Sequence, residues 1–321
     1  MLKFYLLLAI ALPLTQAIRL FLTNREGWEH RNIRSLFHVL DTPDDELLLC
    51  APKTGGDLKR PTTPNSLVQV PDDLDDDVFP FTIELGLKFR APLVYKWMRD
   101  SDPPITSPDT QEPWKADLIL VGPNNGSILG NRGYHNQLWW IQGMAGDGYP
   151  MISFAGANGT FSDPVGLHEA RSEIYAKLAK HVIQTLVAKP LKKGESYIPK
   201  HTFLSVNFPD PFSSNQRCTE VSHFKFILTS HWRYDSHFVP DLSLSVLKGY
   251  NPFKFPYEKK VVKSQGCYVA ITHGQRWPWR HRTFNGHPIP NALARQKIIA
   301  RLEPILSPFP NNLPLVTEDE N

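Results

Sequence analysis

The sequence predicts an α/β fold, a Rossmann-like and mostly parallel sheet flanked by helices, with a C-terminal antiparallel β extension. Two observations predict it. Apolar runs of strand length alternate with amphipathic stretches of helical spacing from residue 18 to residue 207. Three polar clusters, at residues 24–27, 53–57 and 122–126, each follow an apolar run at once. In a parallel sheet the carboxyl ends of the strands form the ligand crevice, so these clusters are expected to meet there.

The elements follow in chain order. Residues 1–17 carry Lys3, an apolar run from Phe4 to Leu14 and the small-residue site Thr15-Gln16-Ala17, which is the pattern of a secretory signal peptide. The mature chain is therefore expected to start at Ile18 and to be secreted. The apolar run is short of the ~20 residues a membrane-crossing helix requires, and no later stretch reaches that length, so no membrane partner is expected. Residues 18–23 form a short apolar run ending at Asn24-Arg25-Glu26-Gly27. Trp28, Ile33, Leu36, Phe37 and Leu40 then recur at helical spacing, and residues 46–51 are a second apolar run. Residues 18–51 thus read as a βαβ unit with a parallel pair.

Residues 58–115 gather many of the 29 prolines and an acidic run at 72–77, so they read as a loop-rich insertion with a helical stretch at 91–100. The acidic run lacks the alternating ligands and central glycine of a calcium loop and reads as solvated. Residues 116–121 are the third strand, running into Gly122-Pro123-Asn124-Asn125-Gly126. Residues 134–147 read as a helix and 149–155 as a fourth strand. Residues 165–188 read as a long helix with Leu167, Ile174, Leu178, Val182, Ile183 and Leu186 buried. Residues 202–207 are a further strand, and the chain to Thr272 reads as loops and short antiparallel strands. The expected organisation is a leader at 1–17, one α/β domain at 18–275 and a C-terminal extension at 276–321.

Composition narrows the function classes. A net charge of +3, evenly spread, argues against a nucleic-acid partner. Residues 276–282 mix cations with aromatic rings as single-strand binders do, but read as a packed surface loop. The 12 histidines include no His-Glu-x-x-His spacing, and no Gly-x-Ser-x-Gly elbow occurs. Of three cysteines, Cys50 ends the run Leu47-Leu48-Leu49 and reads as core, while Cys218 and Cys267 lie in polar, turn-rich settings and are expected to pair. Chain-entropy arithmetic gives such a bond ~4 kcal/mol. Sequons start at Asn125 and Asn158 and would accept glycans in a secretory compartment; the first lies inside a strand-end cluster and is expected to stay unused.

The order of segments over residues 18–273 resembles the survival protein SurE family, most closely its secreted fungal acid-phosphatase-like branch. Ile18-Arg19-Leu20-Phe21-Leu22-Thr23-Asn24-Arg25-Glu26-Gly27-Trp28 resembles the first strand and its Asn-Asp-Asp-Gly loop. Leu48-Leu49-Cys50-Ala51-Pro52 resembles the second strand, and Gly122-Pro123-Asn124-Asn125-Gly126 the family's Ser-Gly-Pro-Asn loop. Tyr149 to Gly156, Leu204 to Pro209 and the settings of Cys218 and Cys267 follow in the family's order.

The resemblance implies a phosphatase or nucleotidase, a divalent metal (Mg²⁺ or Mn²⁺) on oxygen ligands, a phosphorylated small molecule or other anion as partner, and a dimer. In that family two adjacent aspartates, a serine after the second strand and the loop asparagine hold the metal. Carried over, Glu26 matches the second aspartate as metal ligand and catalytic carboxylate, Asn124 the asparagine, and Thr54 the serine. Asn24, Arg25, Asn125 and His135 are the candidate substrate-binding residues. Arg25 replaces the first aspartate, exchanging a negative ligand for a cation, and residues near His135-Asn136-Gln137 replace a Ser-Gly-Thr phosphate-binding turn. Two readings stay open: a weak metal-dependent phosphomonoesterase, and a non-catalytic anion-binding protein in which Arg25 takes over part of the metal's charge.

Overall fold

The computed structural model describes residues 17–27, 30–43, 45–52, 67–69, 82–85, 114–129, 139–156, 165–213, 218–231, 255–275, 283–284, 287–288 and 292–310. The first unit is β1 (Arg19–Thr23), α1 (Arg31–Leu40) and β2 (Glu46–Pro52), with β1 and β2 parallel. β3 (Leu67–Gln69) and β4 (Thr82–Leu85) follow, then β5 (Leu118–Asn125), α2 (Trp139–Gly146), β6 (Met151–Gly156), α3 (Val165–Val187) and β7 (Thr202–Asn207). The chain continues through β8 (Lys225–Thr229), α4 (Glu258–Lys263), β9 (Tyr268–Gln275), a small antiparallel pair β10 (Thr283–Phe284) and β11 (His287–Pro288), and α5 (Ala292–Leu302).

The main sheet has the order β3-β4-β2-β1-β5-β6-β7-β9-β8. Its pairs are parallel except β3 with β4 and β7 with β9. The expected mostly parallel α/β fold is therefore present, and the chain turns antiparallel at β9. β8 is not antiparallel to its neighbour, as the short strands of this region were expected to be. It lies parallel to β9, because the connection between them passes through α4, and a parallel pair needs such a crossover.

Alternation along the strands divides the core between two faces. Leu20, Leu22, Leu118, Leu120, Ile152 and Phe154 pack against α1, α3 and α5. Phe21, Ile119, Val121 and Met151 point the other way, against Ile141 and Met144 of α2. β1 and β5 are buried on both faces, which is why their sequences are nearly continuous apolar runs and not alternating ones. Each fully buried Leu, Ile or Phe contributes about 1.5–3 kcal/mol of transfer free energy, so this double-sided burial fixes the register on which the loops depend.

Cys218 and Cys267 are bonded, with Cα atoms 5.8 Å apart, joining the segment after β7 to the start of β9. Cys50 is buried in β2, and burial pushes its thiol up to about 12. The free edge of β8 is covered by the segment after α5, where Ser307 N–H donates to the Phe226 carbonyl at 2.8 Å. No described helix is long and apolar enough to cross a membrane. The leader up to residue 16, the expected helix at 91–100, the acidic run, the sequon at Asn158 and the basic-aromatic stretch at 276–282 lie outside the described residues.

Candidate functional site

β1 ends at Thr23 and the chain reverses through Asn24-Arg25-Glu26-Gly27. Asn24 closes this turn with both ends of its amide: Gly27 N–H donates to Oδ1 at 3.0 Å, and Nδ2 donates to the Gly27 carbonyl at 2.8 Å. Gly27 has φ 107°, a conformation in which a side chain is strained. The loop then runs to His30, the N-cap of α1, whose N–H donates to the Gly27 carbonyl at 3.2 Å.

One strand away, β5 ends in a distortion that re-aims its last residues. The pairing with β6 shifts register between Val121 and Asn124, and Gly122 has φ 106°. A Cβ at Gly122 would collide with the Phe154 carbonyl and the Asn124 backbone nitrogen. The bulge leaves Asn124 buried, with Oδ1 accepting the Arg25 N–H at 3.2 Å and Nδ2 donating to the Phe154 carbonyl at 3.5 Å.

The two strand ends are joined again through side chains. Arg25 Nη2 donates to Glu26 Oε1 at 3.0 Å and to the Asn125 carbonyl at 3.2 Å, and Asn125 N–H donates to the same Glu26 oxygen at 3.2 Å. Arg25, Glu26, Asn124 and Asn125 therefore form one contiguous cluster, with Asn24 holding the turn beneath it. Thr54 and His135 lie outside the described residues. Sequence reasoning missed Asn207, whose Oδ1 accepts the Ile128 N–H at 2.8 Å and so ties the β5 loop to the end of β7. Its signal was available: like Asn24 and Asn124, it is an asparagine at the carboxyl end of a parallel strand.

The electrostatics of the cluster are asymmetric. The Glu26 side chain is 14% exposed and that of Arg25 is 49% exposed. A pair with one partner half in water contributes only about 0–1 kcal/mol, so the guanidinium can leave Glu26 at small cost. Glu26 Oε2 is buried and accepts no hydrogen bond among the described residues. Burial holds the His30 imidazole below its usual range; the Glu26 charge opposes that shift and His168 adds to it.

The divalent metal implied by the family resemblance does not fit the described residues. Mg²⁺ and Mn²⁺ take oxygen ligands, among them one or two free carboxylates, with carbonyls, waters or substrate oxygens completing the set. The described residues hold no cluster of three or more His, Cys, Asp or Glu side chains suited to a metal. Asn124 Oδ1 already accepts the Arg25 N–H, and Glu26 Oε1 already carries the guanidinium. A cation close to that guanidinium would be repelled by about 4 kcal/mol per unit charge at 4 Å and an effective dielectric near 20.

A second polar constellation lies toward the β8 edge of the sheet, on β8 and β9. Glu258 at the start of α4 is fully buried, and its oxygens accept from His231 Nδ1 at 2.9 Å and Thr272 Oγ1 at 2.7 Å. Thr229 and Thr272 hydroxyls meet at 2.6 Å. This carboxylate is satisfied by its neighbours and clamps α4 to both strands. His273 points to the other face; burial foremost, with the Arg295 and His231 charges, lowers its pKa to about 3.

No protein-family model matches this chain, and no curated protein matches it. Among solved structures, the crystal structure of SurE protein from Aquifex aeolicus is similar at 18% identity, covering 81% of this chain and 94% of that chain with a TM-score of 0.47.

Proposed function

We propose that this chain is a secreted protein of the SurE phosphatase/nucleotidase type in which metal-dependent ester hydrolysis is weak or lost, and whose strand-end cleft binds phosphorylated small molecules or related anions through Arg25. The observation that carries this reading is the guanidinium on Glu26 Oε1, where the resemblance would put a metal ligand of opposite sign. A guanidinium presents planar paired donors that match two oxygens of a phosphate group, and it keeps its charge at any physiological pH. Asn124 sets its backbone position through the 3.2 Å bond to the Arg25 N–H, and Asn125 holds both its side chain and that of Glu26. The chemistry left to these residues is binding and orientation. The disulfide supports an oxidising compartment.

The test is thermal stability of the full chain titrated with inorganic phosphate, beside phosphate release from p-nitrophenyl phosphate with and without EDTA. Phosphate is expected to raise the Tm of the wild type, with or without Mn²⁺, and not that of Arg25→Ala. EDTA-sensitive turnover would overturn the binding reading in favour of the hydrolase, for which the unpartnered Glu26 Oε2 is the supporting observation.

A further inference from the structure

The amino ends of β1, β2 and β5 lie side by side, at the far end of β1 from Arg25. Carboxylates of Asp45, Glu46 and Asp117 gather there around the first residues of β1. Asp45 Oδ1 accepts the Ile18 N–H at 3.1 Å while its Oδ2 accepts the Thr42 hydroxyl at 2.8 Å, so the loop after α1 holds this carboxylate against the Ile18 nitrogen. That loop is closed by Asp45 N–H, which donates to the Thr42 carbonyl at 3.3 Å. From the β5 side, Asp117 Oδ2 accepts the Arg19 N–H at 2.9 Å. Glu46 Oε1 pairs with Arg19 Nε at 3.5 Å, and Glu46 Oε2 is buried with no hydrogen bond among the described residues. The sequence marks the same place independently. Thr15-Gln16-Ala17 closes the leader pattern, so the bond to be cut joins Ala17 to Ile18. At that bond the chain passes from exposed to buried: Ala17 is exposed, and Ile18 is 6% exposed.

We propose that Asp45 is the receptor for the α-ammonium group that a leader peptidase releases at Ile18. This rests on the secretory part of the reading above and is independent of anion binding. In the cleavage step water adds across the Ala17–Ile18 peptide bond. The C–N bond breaks, Ala17 leaves with the carboxylate, and Ile18 keeps the nitrogen as an ammonium. The nitrogen already sits 3.1 Å from Asp45 Oδ1, so cleavage turns a hydrogen bond from a neutral amide into a charge-assisted one without moving the strand. The charge gained is of the sign this acidic strand end calls for, since Glu46 and Asp117 stand beside Arg19 there. The Ile18 side chain packs in the same core cluster as Leu20 and Leu22, so the new terminus is anchored by burial as well. β1 carries Arg25 and Glu26 just beyond its other end, and fixing its first residue holds the register on which that cluster depends.

The test starts from the full chain, leader included, expressed in a secretory host, with the first residue of the exported protein read by mass spectrometry. Ile18 is expected. A different first residue overturns the proposal while leaving secretion standing, and a chain that stays in the cell with its leader removes both; the phosphate titration bears on neither. The exported protein is then acetylated at about pH 7, where α-amines react ahead of lysines because their pKa lies lower. The Ile18 amine is expected to react about tenfold more slowly in the wild type than in Asp45→Asn, the factor that one unit of pKa corresponds to. Equal rates in the two proteins overturn the pairing. Should Asp45→Asn fold poorly, the wild type is compared with itself in denaturant, and a terminus that acetylates as fast folded as unfolded overturns the proposal.

Discussion

At the residue scale, the site exists because three small conformational decisions coincide: a reversal at Gly27, a bulge at Gly122 and an asparagine at the end of each of three strands. Gly122 is the most constrained of them. Its φ of 106° and the space a Cβ would need next to the Phe154 carbonyl both require glycine. Gly122→Ala is expected to destabilise the fold by about 1–3 kcal/mol, read as a shift in the denaturation midpoint, and to loosen the phosphate response because Asn124 is displaced. A variant of wild-type stability would show that the bulge is not held by this contact. The residue types at this corner were legible in the sequence, since turn-forming Asn and Gly directly follow apolar runs. The pairing of Arg25 with its own neighbour Glu26 was not. Adjacent residues on a loop carry no periodic signal, and whether a guanidinium turns inward depends on Asn125, 100 positions away.

At the element scale, the parallel strands were readable because burial on both faces makes β1, β5 and β6 nearly continuous apolar runs, while α1 shows its one-sided pattern plainly. The end of the sheet was less readable. β8 is short, and its parallel pairing with β9 is set by the crossover through α4. The clamp that seats α4 draws Glu258, His231 and Thr272 from three elements, with separations of 27 and 14 residues that follow no helical or strand period. A row of hydroxyl residues, Ser153, Ser205, Thr272 and Thr229, also runs in register across these strands, each reading on its own as an isolated polar residue in an apolar run. Glu258→Ala leaves His231 and Thr272 without their shared acceptor in a buried place. It is expected to cost about 2–5 kcal/mol, with amide exchange rising first in α4 and β8. Equal loosening across the whole sheet would refute α4 as a separately clamped element.

At the scale of the whole molecule, the two polar constellations lie apart along one sheet, the Arg25-Glu26-Asn124-Asn125 cluster at the ends of the central strands β1 and β5 and the Glu258 clamp toward the β8 edge. His273 ties that edge to the stability of the entire fold. Buried on the face covered by α5, with Arg295 nearby and His231 on the other side, its ring stays neutral until about pH 3, whereas in the unfolded chain it takes a proton near 6.5. Between those values the unfolded state binds more protons than the folded one. Stability is therefore lost as pH falls through this window and levels off below about 3, the total being on the order of several kcal/mol. His30 and His181, both held low chiefly by burial, add to the same slope over the upper part of the window. The share belonging to His273 is isolated by His273→Phe, an apolar replacement of similar shape that cannot titrate. Denaturant midpoints measured at pH 8 and pH 5 should converge in that variant relative to the wild type, and an acid slope equal to the wild type's would mean that His273 is reached by solvent before the fold opens.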